Sequence, residues 1–483
     1  MEKEKNNRKK TNKTNTVRKY ISEIIKKPAV KIILAVICVL LLTALKGLIT
    51  GTQDGKITVF SDSQKKCTYV SRDGRIISDN TPGELSGEPV YSSDGKTAVF
   101  LTYSQDDSSS FYTLFAVRNN KVIRITNNVS SSFKISSDGS SVIFKDREGA
   151  LKLNSISSQS DNTIYSSADE YCISPDGKTA VFSAYDEAGL SLSLYCYRKG
   201  SVSEIGTGLI PIGAENDAKT VYACDTDFKT LYSVSSDGKE KNKISDISDA
   251  NICFNSDLTQ MIFSSDSGTY ICFSGSVRKP IYPFTDAFPV FYEGCSPIIT
   301  NEKHGVKIYP TDDFTDMYYY LTEQKTLSYI DSNCARNDIS DDVTNVKVSY
   351  DLKHFYFTDS SKSLYMIKNK KDPICIKNEI SDFEISANGK FYSFTNSSGG
   401  TEFAKGEKTF FTAENVKFKA ITDSSKILYM SADNQNQLFE ISKTGKTKQI
   451  SDSVSSILFD KISGCAVYFE NNDKNETVCK IVT

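Results

Sequence analysis

The chain has 483 residues, of which 39% are hydrophobic and 11% aromatic, so it can bury a large core and is not a disordered chain. It contains two histidines and no tryptophan, which leaves little material for histidine-based catalysis or for imidazole metal sites. The net charge of −2 conceals an uneven distribution, because residues 1–31 hold 11 basic and 3 acidic residues and the remainder is acidic.

A basic segment followed by an apolar one opens the chain. Residues 29–49 read AVKIILAVICVLLLTALKGLI and are long enough to span a bilayer. Under the positive-inside rule, this predicts a cytoplasmic tail over 1–28, a single transmembrane helix over 29–49 and a linker over 50–55. A cleaved signal peptide is the alternative, although the long basic leader and the missing small-x-small site before Lys46 argue against it. Nucleic acid is not expected as a partner of a tail held at a membrane.

One hairpin then recurs along the chain. Residues 173–185 read ISPDGKTAVFSAY, and residues 91–103 read YSSDGKTAVFLTY. The SPDG segment at 174–177 fits the four positions of a type I turn, with Pro at the second position and Gly at the fourth. The β-branched, aromatic and small residues that follow it are typical of a strand.

Alignment on the turn gives nine copies about 40 residues apart, with an eroded copy inferred near 295–310. The aligned positions are Asp94, Asp138, Asp176, Asp217, Asp257, Asp351, Asn388, Ser424 and Ser463. Two more short strands fit between successive copies, and helical periodicity is absent. The pattern predicts an all-β protein: a β-propeller over 56–483 with four-stranded blades, roughly 8–10 units in one large ring or two smaller rings. The first strands are expected to complete the blade that the last strands begin.

The repeat ISPDGKTAVFSA resembles the propeller repeat of the TolB family, which also occurs in the N-terminal propellers of prolyl oligopeptidases and dipeptidyl peptidases. The resemblance extends from about residue 85 to the last repeat, with three close copies and several degenerate ones. It implies a propeller that serves as a scaffold, a partner-binding ring or an enzyme gate. A WD repeat is disfavoured because that signature requires tryptophan.

Motifs that suggest chemistry have structural explanations. Three Gly-Lys-Thr triplets, at Gly95, Gly177 and Gly445, lack the earlier glycine of a phosphate-binding loop. No Gly-x-Ser-x-Gly elbow occurs, and the acidic stretch TDDFTD matches no calcium loop, so no catalytic, cofactor or metal residues are predicted.

The 12 cysteines form no Cys-x-x-Cys pair and are expected to be free thiols. Four of them, Cys196, Cys253, Cys272 and Cys375, occupy strand positions that suit small buried hydrophobes. A bridge between Cys465 and Cys479, which flank the last hairpin, stays open as an alternative.

The repeat breaks over 280–310, which hold five of the 11 prolines. Because proline is excluded from central strands, this segment is predicted to form an irregular blade with long loops. Aromatic residues on stiff loops are suited to binding a partner. The candidate partner-binding residues are Tyr282, Phe284, Phe288, Phe291 and Tyr292. The alternative is that these rings pack beneath the blade.

The sequence therefore favours a single-pass membrane protein with a cytoplasmic N-terminus and an extracytoplasmic propeller. Its expected role is a non-catalytic binding or scaffold module for a protein or a cell-envelope polymer. Two alternatives remain: a lyase or hydrolase that uses Asp, Lys and Tyr in the propeller channel, and a sensor that signals to the cytoplasmic tail.

Overall fold

The computed structural model describes residues within 57–482, all of which belong to one compact unit, Gly55–Thr483. The described range has breaks at 63–65, 73–74, 104–111, 249–251, 266–267, 274–275, 283–289, 294–295, 302–305, 312–313, 315–316, 332–334, 350–351, 369–371, 422–426, 432–436, 443, 461–464 and 472–476. The predicted tail, membrane helix and linker lie outside the described residues. Within the described range, no helix is long and apolar enough to cross a membrane.

The first half of the described chain forms six antiparallel sheets, each made of strands that are consecutive in the sequence. The first sheet has three strands, β1 (Ile57–Asp62), β2 (Cys67–Arg72) and β3 (Arg75–Pro82). The next five have four strands each: β4 (Leu85–Tyr91), β5 (Thr97–Tyr103), β6 (Tyr112–Arg118), β7 (Lys121–Val129); β8 (Phe133–Ile135), β9 (Ser141–Lys145), β10 (Leu151–Ser155), β11 (Ser160–Tyr165); β12 (Tyr171–Ile173), β13 (Thr179–Tyr185), β14 (Leu192–Arg198), β15 (Ser201–Thr207); β16 (Leu209–Ala214), β17 (Val221–Asp225), β18 (Thr230–Val234), β19 (Lys241–Asp246); β20 (Cys253–Phe254), β21 (Gln260–Ser265), β22 (Gly268–Phe273), β23 (Ser276–Tyr282).

The second half forms five further sheets, of which the seventh has six strands and the last has three. The strands of the seventh and eighth sheets are β24 (Val290–Glu293), β25 (Ser296–Asn301), β26 (Val306–Pro310), β27 (Met317–Leu321), β28 (Thr326–Ile330), β29 (Arg336–Ser340); β30 (Asn345–Val348), β31 (His354–Thr358), β32 (Leu364–Lys368), β33 (Ile374–Lys377). Those of the remaining three are β34 (Ile380–Ile385), β35 (Phe391–Asn396), β36 (Thr401–Lys405), β37 (Lys408–Ala413); β38 (Val416–Ile421), β39 (Ile427–Ser431), β40 (Leu438–Ile441), β41 (Thr447–Ser451); β42 (Val454–Asp460), β43 (Cys465–Asn471), β44 (Thr477–Val482).

Side-chain exposure increases toward the fourth strand of a sheet. Strands β5 and β13 are buried over their first six residues, because neighbouring sheets cover both of their faces. The outermost strands β11 and β15 instead begin with four exposed residues. Their pairing with the third strand is interrupted by a register shift, and such a bulge makes an outer edge a poor template for further strands.

Neighbouring sheets share apolar clusters in chain order. Leu114 of the second sheet packs with Phe144 of the third, and the same kind of contact recurs at every junction whose side chains are described. The last sheet packs on the first, because Phe469 contacts Phe60 and Tyr69. The rings of Phe60 and Tyr69 stack at 5.2 Å. The sheets therefore form a closed series, as the blades of a β-propeller do.

The predicted all-β fold with four-stranded units is confirmed, while two details of the prediction are wrong. The described residues form eleven sheets rather than 8–10 units. The first strands also do not complete the last blade, because among the residues that the structure describes β1, β2 and β3 pair with one another and with no strand of another sheet. Sequence-adjacent hairpins are easily formed, so these strands make a sheet of their own. The eroded copy near 295–310 is present as the seventh sheet, where a turn closes between Thr311 and Phe314.

Candidate binding site

The recurring turn is held by side chains as well as by the backbone. In the fourth sheet, the N–H of Gly177 donates to the carbonyl of Ser174 at 2.9 Å, as a type I turn requires. The Ser174 hydroxyl donates to Asp176 Oδ1 at 2.7 Å and accepts the Thr179 N–H at 3.0 Å. The Lys178 N–H donates to the same Asp176 oxygen at 3.2 Å. The predicted turn is therefore confirmed.

Equivalent hydrogen bonds recur in the second and third sheets. In the second sheet, Ser92 donates to Asp94 at 2.7 Å, and in the third sheet Ser136 donates to Asp138 at 2.7 Å. Partial burial raises the pKa of the Asp176 carboxyl, but the hydrogen bonds from Ser174 and Lys178 outweigh it and hold that pKa below its ordinary value. The Asp176 carboxylate is therefore an ionised acceptor inside its turn, which is a structural role.

Successive turns are also joined to one another. The N–H of Ser93 donates to the carbonyl of Ser137 at 2.9 Å, and the N–H of Asp138 donates to the carbonyl of Pro175 at 3.0 Å. The turns of the fourth and fifth sheets are joined by the Asp176 N–H, which donates to Asn216 Oδ1 at 2.9 Å. Four consecutive sheets therefore have their turns at one level.

Arginines at the ends of β2, β6 and β14 reinforce this layer. Arg72, Arg118 and Arg198 each reach the turn of the following sheet, where they donate to the carbonyls of Lys96, Gly139 and Asp217. The distances are 2.7, 2.6 and 2.9 Å. This arrangement was not predicted from the sequence, in which the three arginines precede the next turn by 20, 18 and 17 residues.

The first strands of the second to sixth sheets line a cavity of about 830 Å³. This volume is within the range of ordinary ligand sites. The cavity is bounded by β4, β8, β12, β16 and β20, and Phe314 of the seventh sheet also reaches it. Each of these five strands is the terminal strand of its sheet, so one of its edges has no neighbouring strand in that sheet.

The five strands that bound the cavity each end at a turn, so equivalent residues of these strands can be compared as layers. We number each layer back from the first turn residue, which is Ser92, Ser136, Ser174, Glu215 or Asn255. The layer one residue before the turn holds Tyr91, Ile135, Ile173, Ala214 and Phe254; the second layer holds Val90, Lys134, Cys172, Gly213 and Cys253; and the third holds Pro89, Phe133, Tyr171, Ile212 and Ile252. Lys134 is the only charged residue among these fifteen positions, and Glu88 and Asp94, which lie just beyond these layers, also line the cavity.

Lys134 is exposed and lines the cavity, whose wall is mostly but not wholly apolar. Its Nζ lies 5.7 Å from the centre of the Tyr171 ring, a cation–π contact. Lys145 approaches the same ring at 5.8 Å but donates to the carbonyl of Asp169 at 2.8 Å. Burial raises the pKa of the Cys172 thiol to about 11, and the charge of Lys134 opposes that rise. The thiol beside Lys134 is therefore neutral at pH 7.

The candidate partner-binding residues are only partly within the described range. Tyr282 ends β23 opposite Thr269, and Phe291 and Tyr292 lie in β24 opposite Ile298 and Pro297. Phe284 and Phe288 lie outside the described residues. Since the side chains at Tyr282, Phe291 and Tyr292 are not described either, their exposure stays a prediction.

The expected free thiols are confirmed in part. Cys196 and Cys253 are free and buried, but Cys375 is exposed because β33 is the outermost strand of its sheet. The side chain of Cys272 lies outside the described part. The bridge between Cys465 and Cys479 is contradicted, because Cys479 pairs with Phe469, four residues along β43 from Cys465. At about 3.4 Å per residue, this offset exceeds the reach of a disulfide.

The glycines of the three Gly-Lys-Thr triplets have the structural role expected of them. Gly95, Gly177 and Gly445 all close turns with positive φ. No group of three potential metal ligands occurs among the residues that the structure describes. The acidic residues of TDDFTD, Asp312, Asp313 and Asp316, lie outside them.

Comparison with known proteins gives weak likenesses only. No protein-family model matches the chain, and no curated protein matches it. Among solved structures, an oligogalacturonate lyase from Vibrio parahaemolyticus is similar at 12% identity and a TM-score of 0.33, over 71% of this chain and 93% of that one. TolB from Acinetobacter baumannii is similar at 15% identity and a TM-score of 0.29, over 48% and 65%.

The tricorn protease is similar at 12% identity and a TM-score of 0.27. The match covers 88% of this chain but 60% of the length of that protein. Scores this low carry no argument about activity, and these neighbours include both enzymes and TolB. The propeller assignment therefore rests on the chain's own sheets, turns and clusters.

Proposed function

We propose that this chain is a non-catalytic binding module whose site is the cavity lined by the first strands of the second to sixth sheets. The observation that carries the proposal is the contrast between the turns and the cavity. The repeating carboxylates of Asp94, Asp138 and Asp176 are occupied by hydrogen bonds in their turns. The cavity wall is mostly apolar, with strand edges that can pair with an extended partner.

The partner is a protein or a cell-envelope polymer, and the module is held at the membrane by residues 29–49. The basic tail and the 21-residue apolar run support this tether, with the propeller on the extracytoplasmic side. A second contact is proposed at the aromatic segment that includes Tyr282, Phe284, Phe288, Phe291 and Tyr292, because its prolines stiffen the chain between the rings.

Capture from envelope extracts tests this proposal with a matched pair of variants. Val90 is 41% exposed and lines the cavity, whereas Val202 is 38% exposed on the outermost strand β15 and does not line it. Full-length chain purified from membranes with Val90→Glu should lose most of the partner that the wild type retains, while Val202→Glu should retain it. Equal capture by all three proteins would contradict the cavity as the site.

The tether and the aromatic contact are tested on the same material. N-terminal sequencing of the purified chain should find residues 29–49 still present, and a mature chain beginning near residues 45–52 would contradict a membrane anchor. Replacing Tyr282, Phe284 and Phe291 together with Ser should weaken capture at an unchanged melting temperature. Loss of folding in this triple variant would instead show that the rings belong to the core.

A further inference from the structure

Two lysines occupy equivalent positions in different parts of the molecule. Lys134 lies on β8, two residues before the turn serine Ser136, and Lys347 lies on β30, two residues before the turn serine Ser349. Each ammonium group lies over an aromatic ring of the next sheet. The distance to the ring centre is 5.7 Å for Lys134 and Tyr171, and 5.3 Å for Lys347 and Phe383.

The aromatic partners are equivalent as well. Tyr171 and Phe383 are each three residues before the turn serine of their own sheet. Both are among the buried residues of the molecule, and each joins the apolar cluster between its sheet and a neighbour. The lysine, the ring beneath it and the nearby turn therefore form one device that the chain builds twice.

The two copies differ in what lies beside the ammonium group. Lys347 forms an ion pair with Glu384, with Nζ 2.5 Å from Oε1, and Glu384 is two residues before the turn serine of the ninth sheet. The equivalent position beside Lys134 is Cys172, whose buried thiol carries no charge at pH 7. Within the described part of the chain, no carboxylate lies within ion-pair distance of Lys134.

The cavity adjoins the position beside Lys134 that is equivalent to the position of Glu384 beside Lys347. Lys134 and Cys172 both line it, together with apolar side chains such as Ile135 and Phe254. The carboxylates of Glu88 and Asp94 line it as well, but neither lies within ion-pair distance of Lys134. A cation in a partly enclosed apolar wall interacts more strongly with an anion than a cation in open water does. A ligand that brings a carboxylate to this position would restore the pairing that Glu384 provides for Lys347.

We propose that the cavity binds an apolar ligand that carries a carboxylate, and that this carboxylate pairs with Lys134 in the position that Glu384 occupies beside Lys347. The proposal rests on the cavity being the binding site and adds the chemical class of what it binds. The ammonium group of Lys134 donates to the carboxylate oxygens, and the apolar body of the ligand contacts the layers on either side of the lysine. A charge-assisted hydrogen bond of this kind is worth at least about tenfold in affinity.

The carboxylate can belong to a free molecule or to a peptide of the partner, and two probe pairs distinguish these sources. The first pair is 4-phenylbutyrate and its amide. The second is acetyl-Val-Ile-Asp-Val-amide and the same peptide with Asn in place of Asp. Each pair keeps the apolar body and removes the charge, so the difference in affinity reports on the carboxylate alone.

The measurement is the dissociation constant of each probe for the full-length chain in detergent, with Lys134→Met and Lys145→Met as matched variants. Lys145 contacts the same Tyr171 ring but does not line the cavity. The wild type and Lys145→Met should bind at least one carboxylate probe about tenfold more tightly than its neutral counterpart. Lys134→Met should bind both members of that pair equally, at an unchanged melting temperature.

Each other outcome is decisive. The proposal is overturned if neither carboxylate is preferred by the wild type, or if the preference survives in Lys134→Met. A preference that depends on Lys134, found in a protein that captures no envelope partner, would leave this site standing and overturn the partner-binding role. If Lys134→Met unfolds, Lys134→Arg provides the second test, because it keeps the charge and should keep the preference.

Discussion

The carboxylate of Asp176 accepts two hydrogen bonds within its own turn, from the Ser174 hydroxyl and the Lys178 N–H. The ninth sheet shows that the charge is dispensable, since Asn388 accepts the corresponding bonds from Ser386 and Lys390 at 3.0 Å each. A side-chain oxygen at this position is therefore what the turn requires. The repeat tolerates Asp and Asn because both supply it.

We expect Asp176→Ala to lower the free energy of unfolding by about 0.5–2 kcal/mol, because the Lys178 N–H and the Ser174 hydroxyl lose their acceptor. Asp176→Asn should cost less than half of that. Urea unfolding monitored by circular dichroism measures both. If alanine and asparagine are equally destabilising, the hydrogen bonds are not the source of the effect.

The pH dependence of stability follows from the same group. The pKa of Asp176 in the folded protein lies below its ordinary value, so its ionised form stabilises the fold above that ordinary value. This contribution is lost as the pH falls toward the folded-state pKa. The wild type should therefore lose more stability than Asp176→Asn between about pH 5 and 3, and parallel curves for the two proteins would contradict the argument.

The residue pattern explains why the turn, with Ser174 at its first position, could be predicted and why the hydrogen bond between Ser174 and Thr179 could not. The SPDG sequence at 174–177 fits a turn by the backbone preferences of Pro and Gly alone. The buried Ser174 hydroxyl accepts an N–H from across the turn, a contact that depends on the strand that follows. Lys134 was not predicted as a site residue for a similar reason. Its position in the cavity wall is defined only by the alignment of the first strands of several sheets.

At the scale of the element, the hairpin turns differ in how closely the preceding sheet approaches them. Gly177 has a φ of 69°, and a Cβ there would lie 2.7 Å from Ser140 Oγ and Ser141 Cβ. Gly95 has nearly the same φ, 67°, but a Cβ there would meet nothing within 4 Å. The two positions separate the cost of backbone strain from the cost of a close approach between sheets.

Replacing Gly95 with Ala should cost about 1 kcal/mol of stability, because a left-handed conformation is unfavourable for a residue with a Cβ. Replacing Gly177 with Ala should cost about 1–3 kcal/mol more, because the added atom must displace the third sheet. Thermal unfolding of the two variants gives the comparison. Equal losses of stability in the two variants would show that the turn at Gly177 is not in close contact with the third sheet.

The strands themselves were largely predictable. For example, β5 and β13 each follow an Asp-Gly turn and contain the β-branched and aromatic residues that favour strands. The position of each strand within its sheet was harder to predict, and this explains the error at Cys375. ICIK at 374–377 has the composition of a buried strand, yet β33 is outermost and Ile374 is 47% exposed. Composition reports the local preference of a segment, whereas exposure depends on which strands cover it.

At the scale of the whole molecule, the series of sheets closes through Phe469, Phe60 and Tyr69. The sequence predicted a closure but assigned it to strands of one shared sheet. In the structure, the first and the last strands instead form two separate three-stranded sheets that pack against each other. No local pattern distinguishes these arrangements, because the contact joins strands at opposite ends of the described chain and depends on the packing of every sheet between them.

The closure between the last and the first sheet is what makes the consecutive sheets a propeller. Hydrogen exchange of the backbone amides in β1 and β2 tests it most directly, in the wild type and in Phe469→Ala. Phe411→Ala serves as the control, since Phe411 packs between the ninth and tenth sheets. We expect Phe469→Ala to accelerate exchange in β1 and β2 at least about tenfold, and Phe411→Ala to leave it unchanged. Faster exchange confined to β42, β43 and β44 would contradict the closure.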